Sequence, residues 1–495
     1  MLKRYIALST VVVILLAGSV GRVGYIVFSG SYTASQGYNS YSVTVDVDEP
    51  QLYYRNGEKI NNNVNGLTAV IRPVTNDLAA LNKVYSPKQV KQITTELSQG
   101  YPVVHSISTQ QTPLKTFETH RTETSLSQFI SRDSSGFLKH IKEDYKRELK
   151  VSYHIDARDR LLAGDEGTSN SENYFSREGY IMTFDKHIQQ VTVNASKTIS
   201  KGCVLVFDAK TAEILACVSK PSDTYVNKAV QQYSVGSVFK IVLAACALEN
   251  NVDLNYYCNG TTKVGDTFFS CQNNHAHRLE SLESALANSC NCYFANLALD
   301  LGAEKIISTA KRLGFDSHIS FCDNWQFRAS YLPTKSKLKA QGELALFGFG
   351  QGKLTSTPLQ LGAMLCAVAN NGKYRQPTVV VSKRERNGSI TQQQPISETT
   401  ALSTQSASLL CSYLRTAVVY GTAYNAETSA HQSAGKTGTA QTGQYKNGRE
   451  LCNTWFAGFY PYDNPKYCIV VLCEEGRSGA EDCCPVFRTV VENLE

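Results

Sequence analysis

The stretch Tyr233-Ser234-Val235-Gly236-Ser237-Val238-Phe239-Lys240 runs straight into Ile241-Val242-Leu243-Ala244-Ala245-Cys246-Ala247-Leu248, an apolar, helix-favouring segment. The rest of the chain must be built around that join. Ser237 and Lys240 form a Ser-x-x-Lys pair, and residues three apart share a helix face. The Ser237 hydroxyl is therefore expected close to the Lys240 amine. A serine is a poor nucleophile until a neighbouring base takes its proton. A lysine does so only if its pKa falls, and a dry wall of aliphatic side chains lowers it. Helix-terminal N–H groups beside the serine can stabilise a developing oxyanion. Gly236 removes a side chain where a substrate backbone would approach. Most Ser-x-x-Lys tetrads are a cap serine and a surface lysine, so this one draws its weight from its company.

With 495 residues the chain is expected to hold two or three domains. Hydrophobic residues make up 42% and charged residues 19%, which allows a sizeable core and argues against wholesale disorder. The net charge of +6 is small for this length, and no long basic block occurs, so nucleic acid is not implied. The 15 cysteines begin only at Cys203, and an odd number cannot all pair internally. Cys246, Cys366, Cys468 and Cys473 sit in apolar runs, where cysteine acts as a small buried hydrophobe. Most are read as free thiols, which hints at a reducing or anaerobic setting.

Lys3 and Arg4 precede a mostly apolar stretch from Tyr5 to Phe28 that can span a bilayer if Arg22 snorkels to the interface. No further Lys or Arg appears until Arg55, which puts the N-terminus in the cytoplasm and the bulk of the chain outside. The rival reading is a cleaved signal peptide ending near Ala17-Gly18-Ser19. Residues 29–178 are polar, with strand-like pieces such as Tyr41-Ser42-Val43-Thr44-Val45 and a hairpin signal at Asn56-Gly57. Phe137 to Leu149 reads as an exposed helix, and Leu162 to Ser171 as a loop near a module boundary. This region carries no catalytic constellation and reads as a spacer or pedestal. From Gly179 the texture changes. Gly202 to Asp208 and Glu213 to Val218 read as a hairpin turning at Asp208-Ala209-Lys210-Thr211. Largely helical sequence follows. Strand-like runs return at Thr378 to Val381, Thr454 to Phe459 and Tyr467 to Cys473, before a last helix from Val486 to Leu494. Strands, helices and strands again suggest a sheet with an inserted helical subdomain.

Three motifs occur in order: Ser237-Val238-Phe239-Lys240, Ser289-Cys290-Asn291 and Lys436-Thr437-Gly438-Thr439. The ordered triple, with Asp at the centre of its second member, marks penicillin-binding proteins and class A β-lactamases. Here Cys290 takes the central place. Further stretches fit: Ala434 to Gln441, Phe347-Gly348-Phe349-Gly350-Gln351-Gly352, Thr357-Pro358-Leu359-Gln360, Ala367 to Gly372, Tyr420-Gly421-Thr422-Ala423 and Trp455 to Phe459. From Gly179 onward the chain resembles the transpeptidase domain of class B penicillin-binding proteins. Departures are the reduced Arg55-Asn56-Gly57 segment and Ala276-His277-Arg278, where several relatives carry His-Gly.

The resemblance implies an α/β (α+β) penicillin-binding/β-lactamase-like transpeptidase domain, with a central antiparallel sheet and a helical subdomain, over residues 179–495. A membrane anchor (1–28) and a small strand-rich pedestal (29–178) would precede it. It further implies a serine D,D-transpeptidase that cross-links peptidoglycan stem peptides outside the cell. Ser237 would be the nucleophile and Lys240 its base, with Ser289 a proton relay and Asn291 an orienting amide. Lys436, Thr437, Gly438 and Thr439 would bind the substrate, with Lys436 giving positive potential near the terminal carboxylate. β-Lactams would acylate Ser237, and a SEDS-type membrane glycosyltransferase would be the partner. No cofactor or metal is needed for this chemistry. Alternatives are a D,D-carboxypeptidase, a β-lactam hydrolase or sensor, and a non-catalytic scaffold of a cell-wall complex.

Cys258, Cys271, His275 and His277 have spacing that could hold zinc, form a Cys258–Cys271 disulfide, or do neither. Gly348, Gly350 and Gly352 lack the ending of a P-loop and read as a tight turn.

Overall fold

The computed structural model describes residues 2–28, 40–48, 50–60, 62–108, 112–123, 126–130, 136–140, 147–156, 158–162, 164–170, 179–224, 226–322, 324–385, 387–393 and 396–494. Two compact units divide the chain. The first comprises Met1–Glu49, Asn63–Arg121 and Lys146–Ser176; the second comprises Pro50–Asn62, Thr122–Tyr145 and Arg177–Glu495.

The first unit contains helix α1 (Leu2–Phe28), whose side chains from Val11 to Leu16 are exposed. Among the described residues no helix is long and apolar enough to cross a membrane. The strand expected near Tyr41 runs from Ser40 to Asp48 and pairs antiparallel with Arg147–His154. A second sheet joins Val103–Ile107, Asn62–Ile71 and Lys115–Glu123. Two helices, α2 (Thr75–Val84) and α3 (Pro87–Leu97), bring Ala80, Leu81, Ile93 and Leu97 into one core with Ala69, Ile71 and Ile107. α3 starts on Ser86, whose capping box closes with Gln89, and Pro87 takes the first helical position. The pedestal is thus part helical, and the helix expected over Phe137 to Leu149 does not form as such. Phe137–His140 makes one turn with Phe137 and Leu138 buried, residues 141–146 lie outside the described ones, and Arg147–His154 is strand. Of the loop expected from Leu162 to Ser171, Ala163 and Ser171 lie outside the described residues, and so do residues 172–178, which adjoin the boundary expected between 178 and 179.

The second unit is built on one antiparallel five-stranded sheet. After helix α4 (Lys186–Ala195), capped by Asp185, come β1 (Gly202–Asp208) and β2 (Ile214–Lys220). The Asp208 carboxylate accepts from the Lys210 and Thr211 N–H groups and closes their turn (2.9 and 2.8 Å). Helices α5 (Lys240–Glu249), α6 (Leu282–Ala287), α7 (Asn291–Arg312), α8 (Pro358–Ala369) and α9 (Thr404–Val419) follow. Then come β3 (Ala434–Lys446), β4 (Arg449–Tyr460), β5 (Tyr467–Gly476) and α10 (Cys484–Glu492). The sheet order is β2-β1-β5-β4-β3. Strand alternation sorts the side chains. Cys203, Leu205, Phe207, Val470 and Leu472 face the core holding α5 and α8, while Val204, Val206, Ile469 and Val471 face α4 and α10. With both faces covered, these strands read as unbroken apolar runs. The run expected at Thr378 to Val381 forms Val380–Arg384, which joins a separate four-stranded sheet with Gly179–Met182, Gln51–Tyr53 and Ile390–Gln392.

Candidate active site

Ser237 lies in a tight 3-10 turn, Gly236–Phe239, that feeds directly into α5. In such a turn residues three apart eclipse, which puts Ser237 and Lys240 on one face. The turn is held from two sides. The Gly236 N–H donates to the Gly350 carbonyl (3.0 Å), and the Trp455 indole N–H donates to the Ser234 carbonyl (3.0 Å). Gly236 has φ +59°, and a Cβ there would stand 2.6 Å from the Thr439 carbonyl oxygen. Its requirement for glycine is therefore the close packing of the nucleophile turn on β3. Substrate approach, the reason expected from sequence, is not what crowds this position. The glycine-rich turn Phe347 to Gly352 packs on the same point, which accounts for its tightness without a phosphate.

Lys240 is fully buried. Its amine donates to the Ser289 carbonyl (2.7 Å), the Asn291 Oδ1 (2.7 Å) and the Ser289 hydroxyl (3.2 Å). The Phe294 ring lies under it, 5.5 Å from Nζ to centroid. Burial pushes the Lys240 pKa down to about 8, against the opposing pull of Cys290, Cys271 and Cys292. A neutral amine has two N–H groups and one lone pair. The two short contacts use the N–H groups, and the lone pair is left for a hydroxyl proton. Among the described residues the Ser237 hydroxyl has no hydrogen bond, and the hydrogen bonds of the Lys240 amine go to the second motif.

That second motif sits between α6 and α7. Ser289 takes φ +57°, a left-handed conformation that costs a non-glycine residue about 1 kcal/mol or more. It turns the chain so that the Ser289 carbonyl, its hydroxyl and the Asn291 amide converge on one amine. Asn291 also donates to the Ser270 carbonyl (2.9 Å), which fixes its flip. Cys290 caps α7, its sulfur accepting from the Tyr293 N–H.

The third motif lies on β3, the end strand of the sheet, with Gly438 opposite Trp455 and Thr439 opposite Thr454. An end strand has backbone groups free to pair with an added strand. Lys436 is fully buried, and its amine donates to the Thr437 carbonyl (3.1 Å). Burial, then the charge of Lys240, holds its pKa well below the usual lysine range. It does not line the cleft. The residues of this motif that line it are Thr437, Gly438 and Thr439. Thr437 shares a hydrogen bond with Thr422 (2.8 Å), which in turn reaches the Ala287 carbonyl (3.3 Å).

A cleft of about 860 Å³ brings together Ser237, Ser289, Asn291, Thr437, Gly438 and Thr439. Thr422 and Arg477 also line it, and neither was picked out as a site residue from sequence. Thr422 stood in a stretch already matched to the family, whereas Arg477 follows β5 and had no local signal. His275, His277 and Cys271 line one side. Of the four residues spaced to hold zinc, Cys258, Cys271 and His277 meet, and the fourth member is Cys290. His275 instead packs edge-on against the His277 ring (4.9 Å between centroids). Cys258 and Cys271 are free thiols with their sulfurs 3.7 Å apart.

Comparison with known proteins adds observations of three kinds. The family model of the penicillin binding protein transpeptidase domain matches residues 202–492. Stage V sporulation protein D of Bacillus subtilis is 25% identical over 542 residues, covering 96% of this chain and 82% of that protein. Peptidoglycan D,D-transpeptidase MrdA of Haemophilus influenzae is 26% identical over 351 residues, covering 59% of this chain and about half (52%) of that protein. Among solved structures, penicillin binding protein 3 of Mycobacterium tuberculosis complexed with aztreonam shares the fold at TM-score 0.64 and 20% identity, covering 91% of this chain and 96% of that one. The D,D-transpeptidase domain of a peptidoglycan glycosyltransferase from Eggerthella lenta does so at TM-score 0.62 and 22% identity, covering 91% and 98%.

Proposed function

The chain belongs to the penicillin-binding protein transpeptidase family, and from that premise we propose that it is a serine D,D-transpeptidase cross-linking peptidoglycan stem peptides, with Ser237 as the acylated residue. The observation that carries this is the convergence of all three motifs on one cleft around a buried amine. Ser237 attacks the carbonyl of the penultimate D-Ala. Its proton passes to the neutral Lys240 amine. The Ser289 hydroxyl, 3.2 Å from that amine, carries a proton on to the departing D-Ala. Asn291 orients Lys240 and the donor peptide. The donor lies against the free edge of β3 as an added strand, and its terminal carboxylate meets the Thr437 and Thr439 hydroxyls. Lys436 supports β3 from within. Backbone N–H groups of Ser237 and Thr439 form the oxyanion hole. An amine from a neighbouring stem peptide then takes the acyl group and frees Ser237. β-Lactams, as mimics of the donor end, acylate the same hydroxyl.

Helix α1 serves as a single-pass anchor in this proposal, with the N-terminus cytoplasmic and the cleft outside. Its exposed run from Val11 to Leu16 supports that role. Release of the chain from membranes by alkaline wash without detergent would remove the anchor from the proposal. A SEDS-type membrane glycosyltransferase is the proposed partner, and its absence from gentle detergent co-purifications would argue against it. The test of the activity is labelling with a fluorescent penicillin, read by gel and intact mass. Wild type is expected to carry one stable adduct and Ser237→Ala none. An adduct that survives in folded Ser237→Ala places the nucleophile elsewhere.

A further inference from the structure

The cleft is almost free of formal charge. Among the described residues that line it there is no aspartate, glutamate or lysine, and Arg477 is the single arginine. The sheet fixes where that arginine stands. Cys452 of β4 pairs with Gln441 of β3 on one side and with Gly476 of β5 on the other, so Arg477 leaves β5 at the level of Gln441. Gln441 lies four residues along β3 from Thr437, about 13 Å at the rise of an antiparallel strand. We propose that Arg477 sets donor specificity by receiving a free carboxylate on the side chain of the stem peptide's third residue, which makes the donor of the diaminopimelate type and not of the lysine type. The inference rests on the transpeptidase reading above and names the substrate class within it.

The register of the donor gives the direction. Its terminal carboxylate meets Thr437, and its scissile carbonyl lies between the N–H groups of Ser237 and Thr439. The peptide therefore runs antiparallel to β3, with its earlier residues past Thr439 toward Gln441. The residue before the two D-alanines is a diamino acid, and its long side chain leaves the backbone at that end. A carboxylate held at Thr437 cannot also meet a group about 13 Å away, so Arg477 is left for a second anion. A guanidinium offers paired N–H donors that match a carboxylate. A lysine side chain ends in an ammonium, which would set like charge against Arg477. A diaminopimelate side chain ends in a carbon bearing both a carboxylate and an ammonium. Glu481, with a carboxylate oxygen 3.6 Å from Arg477 Nε, supplies the opposite charge for that ammonium.

Local strain places Arg477. Between the Thr454–Cys473 and Cys452–Gly476 pairs the register slips, and Glu475 in that bulge takes φ +58°. Bulges beside active sites re-aim the side chains that follow. Next, the Asp482 carboxylate accepts from the Arg477 and Ser478 N–H groups (2.6 and 3.0 Å). The turn beyond, Gly479–Cys483, is pressed onto the sheet, since a Cβ on Gly479 would stand 2.3 Å from the Trp455 carbonyl oxygen. The backbone at Arg477 is thus fixed while its head stays open. Among the described residues the guanidinium makes no hydrogen bond, and its Nε stands 3.6 Å from Glu481 and 3.9 Å from Asp482. Such exposed, loose ion pairs yield to a ligand at little cost. Other acids at this end are engaged elsewhere: Glu450 accepts from Gln441 (2.7 Å) and Glu475 from Lys201 (2.8 Å).

The test uses the full chain purified in detergent and three penicillins that differ only at the end of the 6-acyl chain, which takes the place of the third stem residue. One chain is α-aminoadipyl and ends in a carbon bearing ammonium and carboxylate. The second is its carboxamide, and the third ends in an ammonium alone. The second-order rate of Ser237 acylation is followed by intact mass. Wild type is expected to react with the carboxylate probe about ten- to hundredfold faster than with the carboxamide, and slowest with the ammonium. Arg477→Gln should bring the carboxylate-to-carboxamide ratio to about one, and Arg477→Lys should keep part of it. A merely structural role would slow all three probes together and leave the ratio in place, which overturns the inference. A wild-type ratio near one, or a preference for the ammonium probe, overturns it as well, with the transpeptidase reading intact because adducts still form. No adduct from any of the three removes that reading and this inference with it. The wild-type ratio needs no variant, so it stands even where Arg477→Gln fails to fold.

Discussion

A single amine decides the chemistry of the cleft. Lys240 is surrounded by aliphatic and aromatic side chains and by oxygens that accept from it, with no carboxylate among its hydrogen-bond partners. Burial therefore outweighs hydrogen bonding, and its pKa falls to about 8 from the ordinary lysine value of 10.5. The sign follows directly. Below about 8 the amine holds its proton and cannot take one from Ser237. Penicillin acylation is expected to rise with pH through about 8 and level off above it. The measurement is the second-order acylation rate between about pH 6 and pH 10, with the fold followed by circular dichroism. A flat profile on folded protein would remove Lys240 as the base. At this scale the sequence was informative, because each motif residue is a chemical group with a narrow use. It was silent where a neighbour distant in the chain sets the role. The crowding at Gly236 comes from Thr439, and the burial of Lys436 comes from packing that no local pattern records.

Among the elements, the contact between α8 and β1 sets how closely the helical layer approaches the sheet. Gly362 faces Phe207, and a Cβ on it would stand 2.2 Å from the ring. Two effects oppose each other in Gly362→Ala. Alanine gains about 1 kcal/mol of helix propensity over glycine. Overpacking a rigid site costs about 1 to 3 kcal/mol, and Phe207 is fully buried in the sheet with nowhere to turn. The upper part of that range applies at 2.2 Å, so a net loss of about 1 to 2 kcal/mol is expected, a few degrees in Tm. Phe207→Leu should recover part of it in the double variant, because the two residues touch. An unchanged or raised Tm for Gly362→Ala would mean that α8 backs away freely. The five strands and their flanking helices were readable from apolar runs and turn residues, since both sheet faces are covered. α2 and α3 were not read, although Ser86, Pro87 and Gln89 announce the start of α3. Their apolar positions are sparse and become a core only against strands from Asn62 to Ile107.

For the molecule as a whole, the chain does not pass once from a pedestal to a catalytic domain. It crosses between the two units at residues 49/50, 62/63, 121/122, 145/146 and 176/177. The boundary expected at residue 179 leaves two segments of the second unit on the wrong side of the cut. Gln51–Tyr53 pairs in parallel with Gly179–Met182, and the Arg55 N–H donates to the Phe184 carbonyl (3.0 Å). Gln128 donates to the Ser219 and Pro221 carbonyls, and Phe129 packs edge-on against Phe184 (5.3 Å). Leu52, Tyr54, Ile60, Leu126, Phe129, Ile130, Phe137 and Leu138 all belong to the core that holds α5. Each buried side chain of this size is worth about 1.5 to 3 kcal/mol, whereas a folded protein is stable by about 5 to 15 kcal/mol in all. Losing eight of them, even with the ordering entropy of their segments returned, leaves too little. A fragment of residues 179–495 is therefore expected to be insoluble, or to unfold far below the 29–495 chain and to take up penicillin poorly. Soluble yield, thermal unfolding and labelling of the two proteins side by side make the check. Equal unfolding temperatures and equal labelling would mean that the earlier segments only decorate a domain that stands without them.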